Sequence, residues 1–164
     1  MFGGSFTHKL DDVGRFIVPR KFRYSLGERF VITRGIGCLW VLTTDLFHVI
    51  RQKTEGMGDP LTLLFNPEAG RIYRQLFAEM IETTTDGQGR VQLTPELRAH
   101  AGIDKDLVMI GVGDWLEIWS AEKWQEYKDN NLNPEQLYEA AAKVFGLKES
   151  GEAGDGVSPP GASG

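Results

Sequence analysis

The chain has 164 residues, of which 41% are hydrophobic and 25% charged, and this composition is typical of a globular protein rather than a disordered one. No stretch approaches the roughly 20 apolar residues of a membrane-spanning helix, and the first residues lack the basic and apolar segments of a secretion signal, so we expect a cytoplasmic protein with no membrane partner. The single cysteine, Cys38, excludes a disulfide within the chain.

Charge is distributed unevenly along the chain. The formal net charge is −5, which by itself disfavours binding to nucleic acid. Residues 1–40, however, carry seven basic side chains against three acidic ones, whereas residues 114–164 carry four basic against ten acidic. The N-terminal part can therefore attract phosphate while the acidic C-terminal part repels it.

The first predicted elements are a hairpin and a short helix. Alternating apolar side chains predict a strand over residues 5–10, and the run from Asp11 to Gly14 predicts a tight turn. Residues 15–18 are β-forming and should pair with the first strand across this turn. The proline that follows removes a backbone N–H and favours the first turn of a helix, which we expect to end at Gly27.

The remaining elements follow from apolar periodicity, capping residues and glycine stops. In chain order they are strands over residues 30–33 and 39–42, a helix from Thr44 or Asp45 to near Gly56, a helix opened by Asn66, a second hairpin over residues 80–93, a helix over residues 94–101, strands over residues 107–110 and 115–119, a helix capped by Ser120, and a last helix from Asn133 to Gly146. Residues 149–164 are rich in Ser, Gly, Ala and Pro and predict a disordered tail.

One pattern occurs twice. Residues 11–23 and 86–98 both contain Asp-x-x-Gly-Arg, an apolar strand, a proline and a final arginine, and the two aspartates are 75 residues apart. The two later strands of each half also match, with residues 30–32 corresponding to 107–109 and residues 39–42 to 116–119, at a slightly larger offset. A colinear match of turn, strand, helix and two further strands favours an internal duplication.

The two copies are expected to fold together, because about 45 residues bury too little apolar surface to be stable alone. We therefore predict an α+β, mainly β fold in which two halves interlock as a pseudo-twofold β-barrel with flanking helices. The expected divisions are residues 1–55 for the first repeat, 56–79 for a connecting helical segment, 80–128 for the second repeat, 129–148 for a C-terminal helix and 149–164 for the tail.

These residues resemble the MraZ family of bacterial transcriptional regulators, which are encoded with division and cell-wall genes. The residues that carry the resemblance are Met1-Phe2-x-Gly4, Leu10-Asp11-x-x-Gly14-Arg15 with Pro19 and Arg23, Asp86-x-x-Gly89-Arg90, and Gly111-Val112-Gly113 before Glu117-Ile118-Trp119. The resemblance covers about residues 1–145 and implies two AbrB-like (SpoVT-AbrB) swapped-hairpin halves. It also implies a ring-shaped homo-oligomer, an octamer or a similar assembly, that binds tandem repeats in promoter DNA in the cytoplasm and nucleoid.

The resemblance also implies which residues face double-stranded DNA. Arg15 and Arg90 become the motif arginines, with Asp11 and Asp86 as their acidic partners. Gly14 and Gly89 shape the turns, and the supporting DNA-binding candidates are Lys9, Arg20, Lys21, Arg23 and Arg98. Because the first copy has more flanking cations, we expect Arg15 to contribute more to binding than Arg90. Val13 and Gln88 stand where family members often carry lysine, so the affinity of each turn should be lower.

A second interpretation stays open at this stage. The Asp–Arg pairs can be purely structural, in which case the chain is an oligomeric protein-binding scaffold that uses its acidic C-terminal half. An enzyme is not expected, since the sequence has neither a nucleophile elbow nor a phosphate-binding glycine loop. The three histidines lie far apart in the sequence, so no metal is expected, and no cofactor or small-molecule substrate is indicated.

Overall fold

The computed structural model describes residues 1–146, which contain eight strands and seven helices. The strands are β1 (Ser5–Lys9), β2 (Arg15–Ile17), β3 (Phe30–Arg34), β4 (Leu39–Thr43), β5 (Ile81–Thr83), β6 (Arg90–Gln92), β7 (Asp106–Gly111) and β8 (Leu116–Ser120). The helices are α1 (Arg20–Leu26), α2 (Thr44–Glu55), α3 (Pro60–Phe65), α4 (Pro67–Phe77), α5 (Pro95–Ala101), α6 (Ala121–Asn131) and α7 (Pro134–Phe145). The predicted α+β class is confirmed, and the predicted tail lies outside the described residues.

Six strands form one antiparallel sheet in the order β1-β7-β8-β4-β3-β5, and β2 pairs with β6 in a separate two-stranded ladder, here called the ribbon. Within residues 1–146, β1 and β5 are the edges of the six-stranded sheet and do not pair with each other. The sheet is therefore open in its hydrogen bonding, and the closed β-barrel expected from the sequence is not seen in the strand pairing.

The predicted hairpin between β1 and β2 is wrong. β1 pairs with β7, and the chain after it continues along the same neighbour, because the N–H of Leu10 donates to the carbonyl of Lys105 at 2.8 Å. The second expected hairpin fails in the same way, since β5 pairs with β3 and β6 with β2. Each tight turn reverses the chain, but the strands on its two sides pair with strands of the other half. In this way β1 covers the edge of β7, and β5 covers the edge of β3.

Strand registers relate the two halves symmetrically. Phe16 lies opposite Val91 at the centre of the ribbon, and Val91 is the residue that corresponds to Phe16 in the second copy. Trp40 lies opposite Glu117 at the centre of the β4–β8 pair, and these two positions also correspond in the repeat. β2 therefore pairs with its equivalent β6, and β4 with its equivalent β8, and in each pair the central residues of the two paired segments lie opposite each other.

The main core lies between the six-stranded sheet, the inner face of the ribbon, and helices α1 and α5. Its largest fully buried side chains include Phe16, Phe22, Leu97, Met109 and Ile118. A second apolar cluster forms on the outer side of β3 and β4, where α2 and α4 cover the sheet. The sequence did not predict α3, which buries none of its side chains.

Helix starts follow ordinary capping chemistry. The hydroxyl of Thr43 accepts from the N–H of Leu46, so Thr43 rather than the expected Thr44 or Asp45 caps α2. Asn66 caps α4 as predicted. At the start of α6, the hydroxyl of Ser120 accepts from the N–H of the third helical residue at 3.3 Å, which agrees with the cap expected there.

The chain divides into two compact units between Trp124 and Gln125, and the second unit is described here as far as residue 146. In the second unit, Asn133 caps α7 as predicted. The side chains of this helix include the exposed Leu137, Tyr138, Val144 and Phe145.

The ribbon provides a test of the fold, because adjacent residues on β2 face opposite environments. Phe16 is 2% exposed and Ile17 is 50% exposed. We expect Phe16→Ala to lower the free energy of unfolding by about 3–5 kcal/mol. The matched control Ile17→Ala should change it by no more than about 0.5 kcal/mol. Urea denaturation measures both values, and an equal loss in the two variants would contradict this assignment of inner and outer faces.

Candidate nucleic-acid interface

The first turn is built around the carboxylate of Asp11. Its Oδ1 accepts from the backbone N–H groups of Val13 and Arg15 at 3.1 and 2.8 Å. Its Oδ2 accepts from Nε of Arg15 at 2.7 Å. The backbone closes the turn through the N–H of Asp11, which donates to the carbonyl of Arg15 at 2.8 Å. One carboxylate therefore shapes the loop and fixes the direction of the guanidinium.

The second turn repeats this geometry. Oδ1 of Asp86 accepts from the N–H groups of Gln88 and Arg90, both at 2.9 Å, and its Oδ2 accepts from Nε of Arg90 at 2.8 Å. The side chains of Arg15 and Arg90 are 35% and 27% exposed, so neither guanidinium is enclosed by protein. Within residues 1–146, the hydrogen bonds of both arginines to the motif aspartates use only Nε, which leaves the terminal amino groups available to a ligand.

The turns also fix the ionisation of their carboxylates. The backbone N–H of Arg15, followed by its guanidinium and the N–H of Val13, holds the pKa of Asp11 below its ordinary value of 3.8. The equivalent groups of Arg90 and Gln88 lower the pKa of Asp86 in the same way. Both carboxylates are therefore charged at neutral pH.

The ribbon places the two arginines on one surface. Phe16 and Val91 point into the core, and because side chains alternate along a strand, their neighbours on both strands share the opposite face. Arg15 lies opposite Gln92, and Arg90 lies opposite Ile17. Arg15 and Arg90 are thus diagonal neighbours, with a spacing of about 7–8 Å expected for that relation.

Gln92 is a site residue that sequence reasoning missed. Its Nε2 donates to the carbonyl of Val13 at 2.8 Å and so ties the second copy to the tip of the first turn. The equivalent position in the first copy is Ile17, which cannot make this bond. The signal for Gln92 was present in the strand alternation, which puts it on the same face as Arg90.

Each turn glycine contacts an arginine from the opposite copy. Gly14 and Gly89 are buried and have φ values of +81° and +76°, which favour glycine. A Cβ atom on Gly14 would lie 3.1 Å from Cζ of Arg98, and one on Gly89 would lie 2.6 Å from Cζ of Arg23. Arg23, which follows the first turn in the chain, therefore contacts the second turn.

The other candidate cations of the first copy lie on β1 and α1. Lys9 lies 3.8 Å from the carboxylate of Asp106, and Nζ of Lys21 donates to the carbonyl of Gly3 at 3.1 Å. Arg20 is exposed at the start of α1. Lys9 thus lies on β1, and Arg20 and Lys21 lie on α1.

The sequence that forms the turns and the ribbon matches a known family. The family model described as "MraZ protein, putative antitoxin-like" matches residues 1–60 and 76–146. The chain belongs to the MraZ family. Both matched ranges contain one Asp–Arg turn, so the resemblance inferred from the motif residues is confirmed.

Curated relatives support the same membership. The chain is 38% identical over 145 residues to "Transcriptional regulator MraZ" of Clostridium tetani (strain Massachusetts / E88), covering 88% of this chain and 99% of that protein. It is 41% identical over 140 residues to the protein of the same name in Clostridium beijerinckii (strain ATCC 51743 / NCIMB 8052), covering 85% and 95%. It is 39% identical over 146 residues to the protein of the same name in Symbiobacterium thermophilum (strain DSM 24528 / JCM 14929 / IAM 14863 / T), covering 88% of this chain and 99% of that protein.

Three further features of this MraZ-family protein concern metal binding, membrane-spanning helices and the cysteine thiol. Residues 1–146 hold no group of three or more His, Cys, Asp or Glu side chains arranged to bind a metal. Their helices also lack the combination of length and apolar character needed to cross a membrane. Cys38 is 1% exposed, and burial, with a smaller effect from Glu117, raises the pKa of its thiol to about 12. A buried thiol with a raised pKa is a poor nucleophile, because the thiolate is the reactive form.

The depressed carboxylate pKa values predict a pH dependence of stability. Asp11 and Asp86 should stabilise the fold fully above about pH 3.8, and this contribution should be lost as pH falls through their lower folded-state pKa values. NMR titration of the two carboxyl carbons should give midpoints below 3.8. In Arg15→Met, the midpoint of Asp11 should rise while that of Asp86 stays fixed. A rise in both midpoints would show that the turns are not independent carboxylate sites.

Proposed function

We propose that this protein is a sequence-specific DNA-binding transcriptional regulator and not an enzyme. The observation that carries the proposal is the presence of two matching Asp–Arg turns on one ribbon, each with a partly exposed guanidinium whose terminal amino groups remain available. The names of the curated relatives support the same role. The division and cell-wall gene cluster is proposed as its target through the resemblance to the family, and the cytoplasm and nucleoid as its location.

The shape of the ribbon suits double-stranded DNA. The major groove of DNA admits a two-stranded β-ribbon. The planar guanidinium of arginine can donate two hydrogen bonds at once, either to O6 and N7 of guanine or to a phosphate. Asp11 and Asp86 would be repelled by phosphate, so their proposed task is to hold Arg15 and Arg90 in position. Arg15 is proposed to contribute more to DNA binding than Arg90, because Arg20 belongs to the same copy as Arg15 and because Gln92 bonds to the first turn.

The tandem arrangement of two AbrB-like halves, with the residue divisions given above, is proposed as the origin of this surface. It is supported by the exchange of strands between the halves and by the centring of the ribbon on Phe16 and Val91. In this view the six-stranded sheet and the ribbon are the walls of the pseudo-twofold barrel around one core.

Oligomerisation is proposed as part of the mechanism. One ribbon offers few contacts, so a ring that presents several ribbons to tandem promoter repeats gains affinity through effective concentration. A groove of about 680 Å³ between α2 and α4 supports self-association. It is lined by the exposed apolar side chains of Ile36, Val49, Met57 and Ile72.

The competing function is an oligomeric protein-binding scaffold. The observation that favours it is the same groove, together with the exposed apolar side chains of α7. In that case the Asp–Arg turns would be structural and DNA would not be a ligand. The two functions differ in what happens when the charge of the ribbon is reversed.

Charge reversal of a motif arginine tests DNA binding. Loss of a bidentate arginine contact costs about 1–3 kcal/mol, and reversal of its charge adds repulsion in every protomer, so Arg15→Glu should weaken binding at least about 100-fold. Binding is measured by fluorescence anisotropy on a labelled duplex from immediately upstream of the protein's own coding sequence. The control Arg51→Glu makes the same charge change at an exposed site on α2 and should stay within about threefold of the parent. Unchanged binding by Arg15→Glu, with native mass retained, would favour the scaffold.

Polar substitution of the groove tests self-association. Val49→Glu combined with Ile72→Glu should lower the native mass measured by light scattering, because two charges would be buried without partners at a subunit contact. Tyr24 is 94% exposed and does not line the groove, so Tyr24→Glu should leave the native mass unchanged. An unchanged mass in the double variant would exclude the groove as the contact between copies.

A further inference from the structure

Arg23 and Arg98 occupy equivalent positions in the two copies, on α1 and α5. Each helix follows the strand of its own copy, so the sequence places Arg23 with the first turn and Arg98 with the second. The structure exchanges them. Arg98 lies against Gly14 beside Arg15, and Arg23 lies against Gly89 beside Arg90.

Within residues 1–146, the side chains of Arg23 and Arg98 make no hydrogen bond or ion pair, and Nε of each is buried without a partner. The carboxylates of Asp11 and Asp86 bond to their own turns and to the motif arginines, and not to Arg23 or Arg98. A half-buried guanidinium whose Nε–H has no acceptor carries an unsatisfied, partly desolvated donor, and a bound anion would satisfy it.

We propose that each turn is a composite DNA-binding unit made by both halves of the chain, in which Arg98 acts with Arg15, and Arg23 with Arg90. The motif arginine contacts the base edge, and the arginine from the other copy holds an adjacent backbone phosphate. This inference rests on the proposed function and assigns partners within it. It also gives the turn glycines a second role, since any side chain at Gly14 or Gly89 would displace the phosphate-binding guanidinium.

The exchange predicts an unusual pattern of energetic coupling. Residues that share one contact surface give non-additive effects, whereas separate sites give additive ones. Arg15 should therefore couple to Arg98, which lies in the other copy and far away in the sequence, and not to Arg23, which lies nearby in its own copy. The mirror-image pattern should hold for Arg90, which should couple to Arg23 and not to Arg98.

Double-mutant cycles in the full-length chain test this pattern. Methionine replaces each arginine so that the apolar stem is kept, and affinity is measured on the labelled upstream duplex used for Arg15→Glu. For Arg15→Met with Arg98→Met, and for Arg90→Met with Arg23→Met, the double variant should bind at least about fivefold better than the product of the single effects. The pairs within one copy should be multiplicative to about twofold. Coupling within the copies, or no loss in Arg23→Met and Arg98→Met while Arg15→Met loses affinity, would overturn the inference and leave the proposed function intact.

Salt dependence separates a phosphate contact from a structural role. Arg98→Met and Arg23→Met should each reduce the slope of log affinity against log salt by at least about one, while Arg98→Lys should restore it. Arg51→Met is the exposed control and should keep the parental slope. If affinity falls but the slope does not change, the two arginines only support the turns and the phosphate assignment is wrong. If Arg15→Met and Arg90→Met also bind DNA like the parent, the proposed function itself fails.

Discussion

The pairing of Phe16 with Val91 at the centre of the ribbon is the constraint on which the arginine-bearing surface depends. Both side chains are 2% exposed, so the main core fixes which face of each strand points inward. A slip of the register by a single position would turn Arg15 and Arg90 toward the core and expose the two apolar side chains. Burial of two hydrophobic groups therefore determines the direction of two cations, and the position of the site is a consequence of packing.

The acidic residues of the motif make sense within this arrangement. Each aspartate uses one oxygen for backbone N–H groups and the other for its arginine, so loop shape and guanidinium direction have a single cause. The cost is that each pair is electrically neutral. Within residues 1–146, the guanidinium groups of Arg23 and Arg98 lie against the turn glycines, and Nε of each is buried without a partner. In the proposed function, these two cations would supply local attraction for phosphate in a chain whose net charge is −5.

Local features of the fold were predictable because their causes are local. The Asp-x-x-Gly turns follow from carboxylate bonding to nearby N–H groups and from the positive φ of Gly14 and Gly89. The capping roles of Asn66 and Asn133 follow from their side-chain acceptors. The duplication was visible as a repeated pattern, and the motif residues indicated the family that the comparisons confirmed. Where capping chemistry offered near-equal choices, as at Thr43, the sequence could not select the residue.

The sequence by itself determined the turns, most helices and strands, and the identity of Arg15 and Arg90 as a matched pair. It did not determine which strands pair, because a tight turn reverses the chain without selecting the partner of the strand that follows. Only the tertiary structure decided that β1 and β5 cross to the other half, and with them the exchange that puts Arg98 against Gly14 of the first turn. The physical reason is that strand pairing and core burial are properties of the two copies together, since neither copy alone has enough apolar surface to fix its own edges.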